Sequence, residues 1–104
     1  MTDNPIRVQI KILSWFSEAL VPEQHSALLL EEELPPSSTL RTCFNHLSPR
    51  FARFEEIIYN PREDVLQVQV IITHNGLLLT GSDRLDLVLQ NGDSIGLIPS
   101  YAGG

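Results

Sequence analysis

From Ile6 to Ile12 the chain alternates without a break, with Ile6, Val8, Ile10 and Ile12 on one side and Arg7, Gln9 and Lys11 on the other. A period of two is that of a half-buried strand, and a strand with one apolar face must lay it on a second layer. The partner for that face appears after the break at Pro35-Pro36-Ser37-Ser38, where the period changes. Leu40, Cys43, Phe44 and Leu47 recur at i, i+3, i+4 and i+7, which predicts a helix with Ser38 or Thr39 as its N-cap. The chain is therefore built from a sheet with a helix packed across it.

The remaining elements fall around these two. A second strand is predicted from His25 to Leu34, with Leu28, Leu30 and Leu34 on one face and Pro22 in the connection before it. Pro49 ends or kinks the helix, and Phe51, Phe54 and Ile58 keep helical spacing for a turn or two to about Tyr59. Asn60-Pro61-Arg62-Glu63-Asp64 reads as an exposed, mobile loop. Leu66, Val68, Val70 and Ile72 alternate with Gln67 and Gln69 as a third strand, and Asn75-Gly76 is a two-residue hairpin signal leading into a fourth at Leu77 to Leu79. After a short 3₁₀ segment from Asp83 to Leu89 and a turn at Asn91-Gly92-Asp93, Ser94 to Ile98 forms the last strand, closed by Pro99. This order predicts an α+β fold, a mixed sheet of about five strands with one main helix across one face. Residues 1–104 form one domain and 99–104 a flexible C-terminal tail.

Composition narrows the function. A chain of 104 residues that is 42% apolar holds one core without staples. A net charge of −6, with Lys11 as the single lysine, argues against a nucleic-acid surface, which needs clustered cations. Cys43 is the single cysteine, which excludes an internal disulfide, a tetrathiolate zinc site and a cysteine-ligated cluster. With no basic, apolar leader after Met1 and no apolar run beyond four or five residues, a cytoplasmic protein without a membrane span is expected.

No interior active site is legible. His25, His46 and His74 are too scattered for a metal site, and Cys43 lies on the apolar stripe, where a thiol behaves as a small hydrophobe. Glu31-Glu32-Glu33 alternates between faces and reads as a solvated edge. The Gly81-Ser82 stretch lacks the glycine spacing and lysine of a phosphate loop. Attention moves to the surface. The Asn75-Gly76 turn pairs Ile72 with Leu79, so if these two face the helix, Ile71 and Leu78 face away; the same alternation puts Ile95 and Leu97 inside and Ile98 outside. Ile71, Leu78 and Ile98 then make an apolar patch of the kind that marks a partner surface.

Beside that patch the sequence runs to Gly103-Gly104. Two residues without side chains form a pliable stalk that threads a channel closed to bulkier residues. From Pro99, which sets the direction of departure, five residues span up to roughly 17 Å.

The stretch from Val70 to Gly104, with its Asn75-Gly76 hairpin, Asn91-Gly92-Asp93 turn and Ile95-to-Gly104 ending, resembles the sulfur-carrier proteins typified by the small subunit of molybdopterin synthase and the thiamine sulfur carrier. The opening strand, the Pro-Ser-Ser-Thr-Leu helix start and Pro49 fit the same pattern. The resemblance implies the ubiquitin-like β-grasp fold. It also implies that an ATP-dependent adenylating enzyme related to ubiquitin-activating enzymes joins the Gly104 carboxylate to AMP, after which sulfur displaces AMP to leave a thiocarboxylate. The protein is then a co-substrate, binding no cofactor and no metal, that serves a sulfur-accepting large subunit or other synthase. Partner contacts fall to Ile71, Leu78, Ile98, Pro99, Ser100, Tyr101, Ala102 and Gly103. The apolar strand and Pro99 look most like the molybdopterin branch; carriers for thiamine, sulfur amino acids or tRNA thiolation stay open, as does a ubiquitin-like modifier that forms isopeptide bonds. A plain β-grasp interaction module is the third class. One departure stands out: family tails often read Pro-Pro and a small aliphatic, whereas Ser100 and Tyr101 follow Pro99 here.

Overall fold

A computed structural model describes residues 4–13, 15–23 and 26–100. The order is β1 (Ile6–Ile12), α1 (Phe16–Leu20), β2 (Leu28–Leu34), α2 (Leu40–Leu47), α3 (Phe54–Ile57), β3 (Tyr59–Asn60), β4 (Val65–Leu66), β5 (Val70–His74), β6 (Leu77–Leu79) and β7 (Ser94–Pro99). Single 3₁₀ turns lie at Ser48–Arg50 and Arg84–Asp86. Five strands form one mixed sheet in the order β2-β1-β7-β5-β6, and β3 pairs with β4 as a separate two-stranded ribbon. β1 and β7 run parallel, and the other neighbours are antiparallel. This is the ubiquitin-like β-grasp architecture.

The predicted helix-on-sheet core is present. Val8, Ile10 and Ile12 of β1, Ile95 and Leu97 of β7 and Ile72 of β5 are buried beneath Leu40, Cys43, Phe44 and Leu47 of α2. Thr39 is the N-cap, its hydroxyl accepting from the Thr42 N–H. The start of α2 is fixed further by Leu40 N–H donating to Leu87 C=O and Leu89 N–H to Ser38 C=O. Phe44 meets the rings of Phe54 and Tyr59 at 5.9 and 5.8 Å between centroids, so α3 and the β3–β4 ribbon close one end of the core.

Several expectations change. The connection after β1 contains α1, whose signal was one Phe16/Leu20 repeat with no side-chain cap, too short to register as a period. β2 begins at Leu28, and His25 lies outside the described residues. Glu32 is not at a solvated edge: it shares the inward face with Leu34, is 8% exposed and pairs with Arg50. The third strand does not run from Leu66. Gln67 N–H turns away to Ile58 C=O, Val70 N–H bonds back to Gln67 C=O, and Val68 is left 96% exposed before β5 starts at Val70. The loop expected at 60–64 is a closed turn between β3 and β4. Asp64, at φ 54, accepts from Arg41 Nε at 2.7 Å and from the Tyr59 hydroxyl at 2.6 Å. The Arg41 guanidinium and the Tyr59 hydroxyl hold the Asp64 carboxyl below its usual range, while burial and Asp64 push Tyr59 up to about 12.

The β5–β6 hairpin closes through Asn75 and Gly76 at φ 52 and 85, as the sequence predicts. Its base is locked by Asp93, which is buried and accepts from Gln90 N–H at 2.8 Å and Asn75 Nδ2 at 3.0 Å, with His74 Nε2 3.0 Å away. Burial works against the ionised form of Asp93, but the Gln90, Asn75 and His74 contacts outweigh it and its carboxyl sits below the usual range. A carboxyl lowered on folding stabilises above its unfolded value, near pH 4, and that contribution is lost as pH falls through the folded value. The melting temperature should therefore drop on acidification below about pH 4, and less steeply in Asp93→Asn, when followed by circular dichroism. Equal slopes would remove Asp93 from the account.

Candidate partner surface and tail exit

The outward face of the sheet is set by strand register. Ile71 pairs with Ile98, and Thr73 pairs with both Leu78 and Gly96. Alternation leaves Ile71 and Ile98 half-buried side by side and Leu78 63% exposed, pointing away from α2. The same registers extend one row over all five strands, Leu29–Lys11–Gly96–Thr73–Leu78, with an exposed leucine at each end. Gly96 leaves room there for Thr73: a Cβ would come 2.4 Å from Thr73 Oγ1 and force that hydroxyl to move. Strand alternation in the sequence already turned Lys11 and Gly96 outward; that they and Leu29 form one row with the predicted patch was not found. The parallel β1–β7 pairing is what brings Lys11, and through β1 Leu29, beside the predicted patch, and no local signal encodes it.

The electrostatics of the face are uneven. Arg7 lies between Glu31 and Glu33, at 3.9 and 3.8 Å, on exposed side chains where such pairs stabilise little. Lys11 has no carboxylate partner among the described residues. On the other side of the sheet, burial and then the neighbouring Glu32 push the Cys43 thiol up to about 12, so it remains a neutral thiol in the core. Among the described residues no group of three or more His, Cys, Asp or Glu side chains can hold a metal ion, and no helix is long and apolar enough to cross a membrane.

The exit of the tail differs from its prediction. Pro99 is the last residue of β7, paired with Val70 and buried on the inward side with Ile95 and Leu97, so it does not belong to the outward patch. Its position follows from alternation: residues 95, 97 and 99 share one face. Ser100 is also held, its N–H donating to Gln69 C=O at 2.7 Å. Pro99 and Ser100, expected as the first two residues of a flexible tail, are therefore held by the sheet. Tyr101, Ala102, Gly103 and Gly104 lie outside the described residues. The Ser100–Gln69 bond sits at the C-terminal ends of β1 and β7, beside Ile98 and Ile71.

Replacing Leu78 with Asp should leave the melting temperature within a degree or two, because its side chain faces out, while weakening association with a partner docked on this face by about 1–3 kcal/mol. Calorimetric titration with the adenylating enzyme that the resemblance implies would measure the second quantity. Collapse of the fold would contradict the outward placement.

No protein-family model matches the sequence, and neither does any curated protein. Solved structures match over nearly the whole chain. They include small archaeal modifier protein 1 of H. volcanii, 14% identical with a TM-score of 0.71 over 92% of this chain and 99% of that one. The small archaeal modifier protein 1 of Methanosarcina acetivorans is 21% identical with a TM-score of 0.68, over 97% and 99%. A provisionally assigned molybdopterin converting factor, subunit 1, of Pyrococcus furiosus is 24% identical with a TM-score of 0.66, over 92% and 99%. At these identities the likeness is one of fold, and it agrees with the family resemblance read from the sequence.

Proposed function

We propose that this chain is a ubiquitin-like sulfur carrier. The observation that carries the reading is the placement of its last strand. β7 lies between β1 and β5, and its end is pinned by the Ser100–Gln69 bond beside the outward pair Ile71 and Ile98, with Gly104 four residues on. A partner docked on the outward face is thus within reach of the tail. In this reading an adenylating enzyme uses ATP to join the Gly104 carboxylate to AMP with release of pyrophosphate. A carboxylate is a poor electrophile until one oxygen belongs to a good leaving group, and the mixed anhydride supplies that. A sulfur nucleophile then forms the C–S bond as AMP departs, and the resulting thiocarboxylate donates its sulfur to a synthase. The chain is the co-substrate, and no group in its fold needs to move a proton. Molybdopterin assembly is the acceptor pathway we favour, supported by the named function of the Pyrococcus furiosus neighbour.

A second reading, a modifier joined to lysines through an isopeptide bond, is favoured by the names of two other neighbours. Both share the activation step. Intact-mass measurement of the protein from its native cell separates them. Sulfur in place of one oxygen at the C-terminus supports the carrier, and branched diglycine peptides on other proteins support the modifier. Finding neither, in cells that contain the activating enzyme, overturns both.

A further inference from the structure

β2 is an edge strand of seven residues, and β1 is its one neighbour in the sheet. Its free side follows from how β1 uses its own backbone. Gln9 and Leu13 donate their N–H groups to Asp93 and Leu97 C=O, and Arg7 C=O accepts from Gly92 N–H, so the odd residues here bond toward β7. The even residues are left for β2, and the register hands them Leu28, Leu30, Glu32 and Leu34. The N–H and C=O groups of Leu29, Glu31 and Glu33 therefore point out of the sheet edge, and no group among the described residues bonds to them. The same three residues carry exposed side chains on the outward face. An edge with its ladder open in this way is a template for another strand.

We propose that β2 takes up an extended, basic segment of a partner protein as a sixth strand, antiparallel to β2, the more stable pairing per residue. Charge names the occupant. Glu31 and Glu33 share one face with a single cation, Arg7, 3.9 and 3.8 Å away, so one negative charge on that row stays uncompensated. Residues opposite 29, 31 and 33 in an added strand lie on the same face, which fixes a pattern. A basic residue stands against Glu33, a second against Glu31 two positions later, and an apolar one against Leu29 two later again. Leu29, 72% exposed, also borders a cleft of about 260 Å³ with Gln9, Lys11 and Glu31, which receives the end of that apolar side chain. A second copy of this chain is a poor occupant. Antiparallel pairing of two β2 edges centred on Glu31 or on Glu32 sets carboxylate against carboxylate, so the acid run rejects self-association while selecting a basic guest. In strand addition, main-chain bonds hold the guest and alternate side chains select it. β2 stands two strands from β7, about 10 Å in a sheet, so an occupied edge leaves the end of β7 clear, and the proposal does not rest on the carrier reading.

The test uses the full chain labelled with nitrogen-15 and an end-capped heptapeptide in which threonines alternate with arginine, arginine and valine, in that order. Strand addition predicts amide shifts concentrated at Leu29, Glu31 and Glu33, with hydrogen exchange slowed at the same three. A peptide with glutamates in place of the arginines should not bind. Glu31→Gln combined with Glu33→Gln should weaken the basic peptide about tenfold at an unchanged melting temperature, the size of two cross-strand charge pairs. N-methylation of the arginines and the valine removes the donors that face the edge and should abolish binding, whereas plain charge attraction would survive it. Equal affinity for the methylated peptide, or no shift at these three amides at about 1 mM basic peptide, overturns the proposal. Shifts there that grow with protein concentration in the absence of peptide would assign the edge to a second copy and overturn it as well.

Discussion

Removal of Gly104 should abolish adenylation by the activating enzyme, a loss of at least about a hundredfold in rate, while the melting temperature stays where it is. From Ser100, the last described residue, four residues reach at most about 14 Å, and one fewer shortens that by about 3.5 Å. That error matches the whole approach distance of reacting atoms, about 3–3.5 Å. Folding should be indifferent, since every buried residue among those described lies at or before Pro99. Gly103→Val should fail equally by another route, since a β-branched side chain stiffens the backbone and obstructs a channel shaped for glycine. Pyrophosphate release in the presence of ATP reads both. Adenylation of the Gly104 deletion at the rate of the intact chain would sink carrier and modifier together and leave a tail-independent binding module.

Phe44→Ala should cost about 3–5 kcal/mol of stability, a large share of what a domain this size possesses. Phe44 is fully buried and touches the rings of both Phe54 and Tyr59, so its removal opens a cavity where α2, α3 and the β3–β4 ribbon converge. Ile10→Ala, in the middle of β1, should cost about 2–5 kcal/mol for the same reason. Urea melts give both values, and midpoints that barely move would contradict the packing of α2 on the sheet.

What the sequence made legible was local. The alternation of β1, the stripe of α2 with its Thr39 cap and the Asn75-Gly76 turn each encode their own geometry within a few residues, and the hairpin turn also fixes which of Ile71, Ile72, Leu78 and Leu79 face out. What stayed hidden depended on distant partners. The alternation of Leu66, Val68 and Val70 looked continuous, but Gln67 is claimed by Ile58, which breaks the strand. Glu32 looked like part of an acid run until Arg50, eighteen residues on, neutralised it in the interior. Pro99 looked like the start of a tail because proline ends strands, yet the strand's own period turns its ring inward. At the candidate site, the sequence placed Ile71, Leu78 and Ile98 on one face but held no trace of the parallel β1–β7 pairing that carries the same row across Lys11 to Leu29.

The position of β7 between β1 and β5 bears on how the protein is made. The first and last strands of the sheet are parallel neighbours, a pairing that closes a loop of nearly the whole chain and is entropically slow to form. Until residues 94–99 have left the ribosome, β1 with β2 and β5 with β6 are two hairpins with nothing to join them. An interrupted translation product or a half-folded chain then lacks the strand that sets Ile98 beside Ile71 and anchors Ser100. On the carrier reading, a partner that reads this face together with the tail would then bind only chains in which β7 has been made and paired.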